Sequence, residues 1–185
     1  MKKSKHLAMR FIPLLLIGIL FWGCKKDSGS NNIDKIDVTG QCYKDFAGNN
    51  LTNTGVCSGT FFNVNELALF KDMDTVNLNN TAKPDFDPLI NIYPNPSRSF
   101  FNLTVFLNES FTGKVVLKYV IVDNQLNILQ KKYVKNITKG SWAFNISQDL
   151  PNGKYRLYMT LSAENFNNFY TLWRNIQIGD LPITP

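Results

Sequence analysis

Three cysteines, one histidine and a scatter of carboxylates are the residues of this chain that carry reactive chemistry. Cys24 follows an apolar run after a single glycine, whereas Cys42 and Cys57 lie fifteen positions apart in a polar stretch. A pair at that spacing is not a C-x-x-C redox centre, and two thiols are too few to hold zinc. The single histidine, His6, stands among Lys2, Lys3, Lys5 and Arg10. Asp72-Met73-Asp74 and Asp85-Phe86-Asp87 each set two carboxylates at i, i+2, as at the start of a calcium loop. Neither continues into the Asp/Asn and Gly positions that such a loop needs, so no metal and no cofactor is expected.

The apolar run Phe11-Ile-Pro-Leu-Leu-Leu-Ile-Gly-Ile-Leu-Phe-Trp22 decides how much of this chemistry survives. As a helix it reaches about 18 Å, against roughly 30 Å of hydrocarbon, so it reads as a secretory signal and not as a span. Phe21-Trp22-Gly23-Cys24, at the end of that run, resembles the lipobox of bacterial lipoproteins. The resemblance implies that Cys24 is lipidated and becomes the first residue after cleavage, with Phe21 and Trp22 standing where the family usually has aliphatic and small residues. An ordinary signal peptide followed by a chance cysteine is the alternative.

Loss of residues 1–23 removes four basic residues and no acidic one, which lowers the formal charge from +6 to +2. His6 goes with them. The shortened chain has no histidine for a Ser-His-Asp or Cys-His mechanism, and the charge no longer argues for nucleic acid. A non-enzymatic protein is expected. In an exported chain the remaining pair, Cys42 and Cys57, is expected to form a disulfide, with two buried free thiols as the alternative.

Residues 24–32 are rich in Ser, Gly and Asn and read as a flexible tether. Residues 33–83 form a small β-rich region in which Ile36-Asp-Val38 and Thr60-Phe-Phe-Asn-Val64 look like short strands, with turns at Gly40, Gly48 and Gly55. Glu66-Leu-Ala-Leu-Phe70 fits either a helical turn or a strand. Residues 84–88, Pro-Asp-Phe-Asp-Pro, make a linker.

Beyond it the period-two signal is strong. Phe101, Leu103, Val105 and Leu107 form one alternating run; Trp142, Phe144 and Ile146 form another; Tyr155, Leu157, Met159 and Leu161 form a third. With residues 89–93, 114–122, 126–134 and 168–178 they make about seven strands. Each of the alternating runs is expected to bury one face in an antiparallel β-sandwich over residues 89–178, followed by a tail at 179–185.

Ile90-Asn-Ile-Tyr93-Pro94-Asn95-Pro96-Ser97, Val120-Ile-Val-Asp123 and Leu150-Pro151-Asn-Gly153-Lys-Tyr155 together resemble the C-terminal sorting domain of type IX secretion cargo, type A. The resemblance implies an all-β, Ig-like sandwich read as an address by an outer-membrane translocon and usually removed by a sortase, with no catalysis of its own. This chain departs from the family in having Ser97-Arg98-Ser99-Phe100 where a glycine is usual, and Asn124-Gln125-Leu126 after Asp123. Asp74-Thr75-Val76 resembles the O-glycosylation motif of the bacterial phylum that uses this route, which implies a glycan on Thr75.

The expectation that joins these readings is a lipid-anchored protein of the outer membrane or cell surface, carried by the general secretion route, with the translocon and sortase as partners. A surface adhesion or binding protein, taking a glycan or protein ligand on a purely structural sandwich, is the alternative.

Overall fold

The computed structural model describes residues 35–71, 73, 88–147, 149–163 and 169–180. All of these residues belong to one compact unit. The expected all-β fold is what the structure has: an antiparallel sandwich, preceded by a small β-rich region with a disulfide. The strands are β1 (Gln41–Lys44), β2 (Asn50–Thr54), β3 (Ser58–Gly59), β4 (Leu89–Tyr93), β5 (Phe100–Leu107), β6 (Val115–Val122), β7 (Ile128–Ile137), β8 (Gly140–Ser147), β9 (Gly153–Ala163) and β10 (Phe169–Ile178). One short helix, α1 (Val64–Ala68), lies between β3 and β4.

One sheet runs β3-β10-β9-β6-β7, the facing sheet runs β4-β5-β8, and β1 and β2 form a hairpin of their own. The main core lies between the two larger sheets. Phe101, Leu103, Val105 and Leu107 of β5 meet Leu117, Tyr119 and Ile121 of β6 and Leu157, Met159 and Leu161 of β9, all buried. The alternation read from β5 is thus the alternation seen, with Asn102 and Thr104 half-buried and Phe106 exposed on the other face.

The expectation of one buried face fails for β9. Arg156, Tyr158, Thr160 and Ser162 alternate with the core residues and are buried too. Residues 36–73 cover that face, where Ile36, Val38, Phe62, Leu69, Phe70 and Met73 pack on Val120, Val122 and Tyr158 as a second core. The five-stranded sheet therefore has apolar layers on both sides, which is why β6 reads as an almost unbroken apolar run, Val-Val-Leu-Lys-Tyr-Val-Ile-Val.

Ile36–Val38 and 60–64, read as strands, are not strands. Residues 37–40 run without ladder partners, and Asn63 instead caps α1. The Asn63 side chain accepts from the Asn65 and Glu66 amides at 2.9 and 3.0 Å, and Glu66 Oε2 accepts the Asn63 amide at 2.7 Å. That reciprocal capping box settles the segment around Glu66 as helix. A five-residue helix is unstable alone; burial of Leu69 and Phe70 beyond its C-terminus holds it on the sheet. The strand β2 has no apolar alternation to announce it and is exposed throughout.

Candidate functional site

The Tyr93-Pro-Asn-Pro segment lies where the two larger sheets come together on one side of the sandwich. Proline ends β4, and Asn95, 2 % exposed, takes over the pairing. Its backbone N–H donates to Lys44 O at 3.0 Å, and its C=O accepts from Lys44 N at 2.8 Å. Its side-chain Nδ2 donates to Cys42 O at 2.8 Å, and Oδ1 accepts from Gln177 N at 2.8 Å. One asparagine is thereby bonded to β1 and β10 at once. Ser97 continues the seam: its N–H donates to Gln177 O at 2.9 Å, and its C=O accepts from Gly179 N at 2.8 Å. The peptide bonds before Pro94 and Pro96 are both cis.

The Leu150-Pro-Asn-Gly-Lys-Tyr segment arrives at the same place from the other direction. Leu150 packs half-buried on the main core, and the Tyr155 hydroxyl donates to Pro151 O at 2.8 Å, closing the turn. Burial, with Asp123 nearby, raises the Tyr155 phenol above its ordinary range. Gly153 opens β9 opposite Ile178. Gly179 has φ +114°, and a Cβ there would stand 3.2 Å from Asn152 Cγ. Only glycine suits that backbone and that space. The two motif segments, more than fifty residues apart in the chain, thus converge on residues 177–179 at the end of the last strand.

Beside this junction is a half-open groove of about 370 Å³, with Phe46, Leu51, Pro94 and Pro96 as its apolar walls and Lys44 and Arg98 at its rim. Arg98 Nε donates to Asp180 at 2.6 Å, but both side chains are largely exposed, so the pair adds at most about 1 kcal/mol. Burial lowers the Lys44 ammonium, and Arg174 lowers it further. Lys44 Nζ donates to Gly48 O at 3.3 Å.

On the opposite face of the five-stranded sheet lies a buried polar network that sequence reasoning missed. Tyr158 donates to Glu66 Oε1 at 2.6 Å; Arg156 Nη1 stands 3.8 Å from the same oxygen. Arg156 also donates through Nε to Asn175 Oδ1 at 2.9 Å and through Nη2 to Asp37 O, and its guanidinium lies 3.9 Å over the Trp173 ring. Asn175 in turn donates to Gly40 O at 2.7 Å. Burial and the Glu66 carboxyl push the Tyr158 phenol far above its ordinary range. Apart from the Arg156–Asn175 bond and the Arg156–Trp173 contact, which tie β9 to β10, each interaction joins residues 37–66 to one of those strands, so the network is the polar fastening of the covering layer. Its signal in the sequence is Arg156 and Tyr158 on a long apolar strand, where an exposed phase would carry smaller polar residues.

Cys42 and Cys57 are bonded, with Cα atoms 5.4 Å apart. The bond ties β1 to the start of β3, and Cys57 O accepts from Asn175 N at 2.9 Å. Trp142 is 37 % exposed on β8, and Trp173 is half-buried under Arg156. Cys24, Thr75, the paired aspartates 72, 74, 85 and 87, and the segments 1–32 and 181–185 lie outside the described residues. Among the described residues no three His, Cys, Asp or Glu side chains are grouped to hold a metal ion. No helix there is long and apolar enough to cross a membrane. No family model and no curated protein matches this chain.

Proposed function

We propose that this chain is a non-enzymatic, lipid-anchored protein of the cell envelope, held through Cys24, whose β-sandwich acts as a type IX sorting and display domain. The observation that supports the reading is the convergence of Tyr93-Pro-Asn-Pro and Leu150-Pro-Asn-Gly-Lys-Tyr on residues 177–179. Motifs that merely ended separate strands would have no reason to meet. Brought together, they form one rigid end of the sandwich, with an apolar groove beside it, which a translocon can read as a shape. A sortase cut in the linker 84–88 would leave residues 35–73 held to the sandwich by β3–β10 pairing and the buried network.

The test is the location of the full chain in a type IX-competent strain and in the same strain without the translocon, each with and without Cys24→Ala. Surface exposure that needs the translocon, and membrane fractionation that needs Cys24, are the expected results. An identical location in both strains removes the sorting reading, and unchanged fractionation of the variant removes the anchor.

A binding role is the second reading, favoured by the outer face of the three-stranded sheet. Leu89, Phe100 and Phe106 are exposed there beside half-buried Asn91, Tyr93, Asn102 and Thr104, without a single charge. Such a surface suits a glycan or protein ligand.

A further inference from the structure

The two sides of the sandwich are finished differently. On one side Asn95 bridges to Lys44 and Ser97 bridges to Ile178, so the edges of β4 and β10 are joined by the chain itself. On the other side the sheets end in β7 and β8, and among the described residues no strand pairs with the outer edge of either. A free edge is a row of unpaired N–H and C=O groups, and proteins blunt it with charge, proline or bulges. The β7 edge is blunted: Lys131 and Lys132 lie along it, both exposed. The β8 edge, Gly-Ser-Trp-Ala-Phe-Asn-Ile-Ser, carries no charge and no proline. The neighbouring charge, Lys139, is paired with Glu109 at 3.6 Å.

We propose that β8 is a strand-addition edge through which two copies of this chain pair antiparallel about a two-fold axis, joining their three-stranded sheets into one. Charge selects the occupant. In a two-fold contact each residue meets its own kind or a near neighbour, so a charged strand opposes itself; β7 would set lysine against lysine, and β8 sets nothing charged against anything. Pairing also uses Trp142, which β8 leaves partly in water, and its half-buried neighbour Phe144. Trp142 and Phe144 share a side of the strand, with rings 6.5 Å apart, and a register centred on Ala143 lays Trp142 of each copy against Phe144 of the other. The sheet hydrogen bonds supply affinity and the aromatic pair supplies register.

The test is sedimentation of the detergent-solubilised full chain as wild type, Ala143→Lys and Ala143→Glu. Ala143 is exposed, so both variants are expected to melt as the wild type does; Asn145→Lys, on the same exposed row, replaces any that does not. The wild type is expected to dimerise, and each single variant to lose about ten-fold or more in self-association through like charges set opposite each other. An equimolar mixture of the Lys and Glu variants is expected to recover it. A monomeric wild type, a dimer indifferent to both charges, or a mixture that fails to reassociate would each overturn the proposal.

Discussion

Asn95 Oδ1 accepts the backbone N–H of Gln177 at 2.8 Å, while the same side chain donates to Cys42 O, also at 2.8 Å. The three residues belong to different elements, β1, the segment after β4, and β10. Asn95→Ala strands a buried donor and a buried acceptor. A loss of about 3 kcal/mol is expected, read as a shift of the urea midpoint at constant slope. Asn95→Asp is expected to cost more, because a carboxylate oxygen would then face Cys42 O.

The Arg156 guanidinium serves Asn175, Asp37 and Glu66 at once. Arg156→Met keeps the stem and removes all three, leaving Glu66 buried beside Tyr158. About 3 to 5 kcal/mol of destabilisation is expected. Glu66→Gln in the same background is expected to restore part of it, so the double-mutant cycle should show coupling. Strict additivity would mean that the pair does not act as a unit.

Hydrogen bonds from Asn49 hold the Asp45 carboxylate below its ordinary value of 3.8, and bonds from Thr39 do the same for Asp37. A depressed carboxylate contributes stability that is present above its unfolded pKa and lost as pH falls through the folded value. Denaturation midpoints are therefore expected to fall below about pH 4, with a smaller fall in Asp45→Asn. The raised Tyr158 phenol acts at the other end: its share of stability is present below about pH 10 and declines as pH rises above that. Tyr158→Phe should flatten the alkaline limb of the stability curve.

The Cys42–Cys57 bond closes a loop of sequence separation 15, so reduction, or Cys42→Ser with Cys57→Ser, is expected to cost about 3 kcal/mol. Because Cys57 O accepts from Asn175 N, loosening should appear first as faster amide exchange at Asn175.

The sandwich was legible because β5, β6 and β9 each bury at least one clean phase; Phe101, Leu103, Val105 and Leu107 state their face outright. The covering layer was not, because its order comes from tertiary contacts. Asn63 and Glu66 form a capping box that was there to be read, but Gln41, Asn95, Asn175 and Gln177 are ordinary polar residues until the fold buries them together. The missing glycine after Asp123 is resolved by geometry. Asp123 Oδ1 accepts the Gln125 and Asn127 amides, each at 2.9 Å, as Asp45 does for Ala47 and Asn49, and Leu126 takes the positive φ that Gly48 takes in the matching turn. Leu126 gains packing on the second core in that position, an offset to its backbone strain that no sequence pattern announces.

The strand β3 pairs with β10, at Gly59 opposite Trp173 and Ser58 opposite Arg174. The beginning and the end of the described chain are therefore completed in a single step. A ribosome or a membrane pore that releases this chain from its N-terminus holds back the strand with which β3 pairs. Until that strand emerges, Ile36, Val38, Phe62 and Phe70 lack part of their seat, and folding has to wait for closure over more than a hundred residues. Among these pairings the β3–β10 contact is therefore the one that closes last.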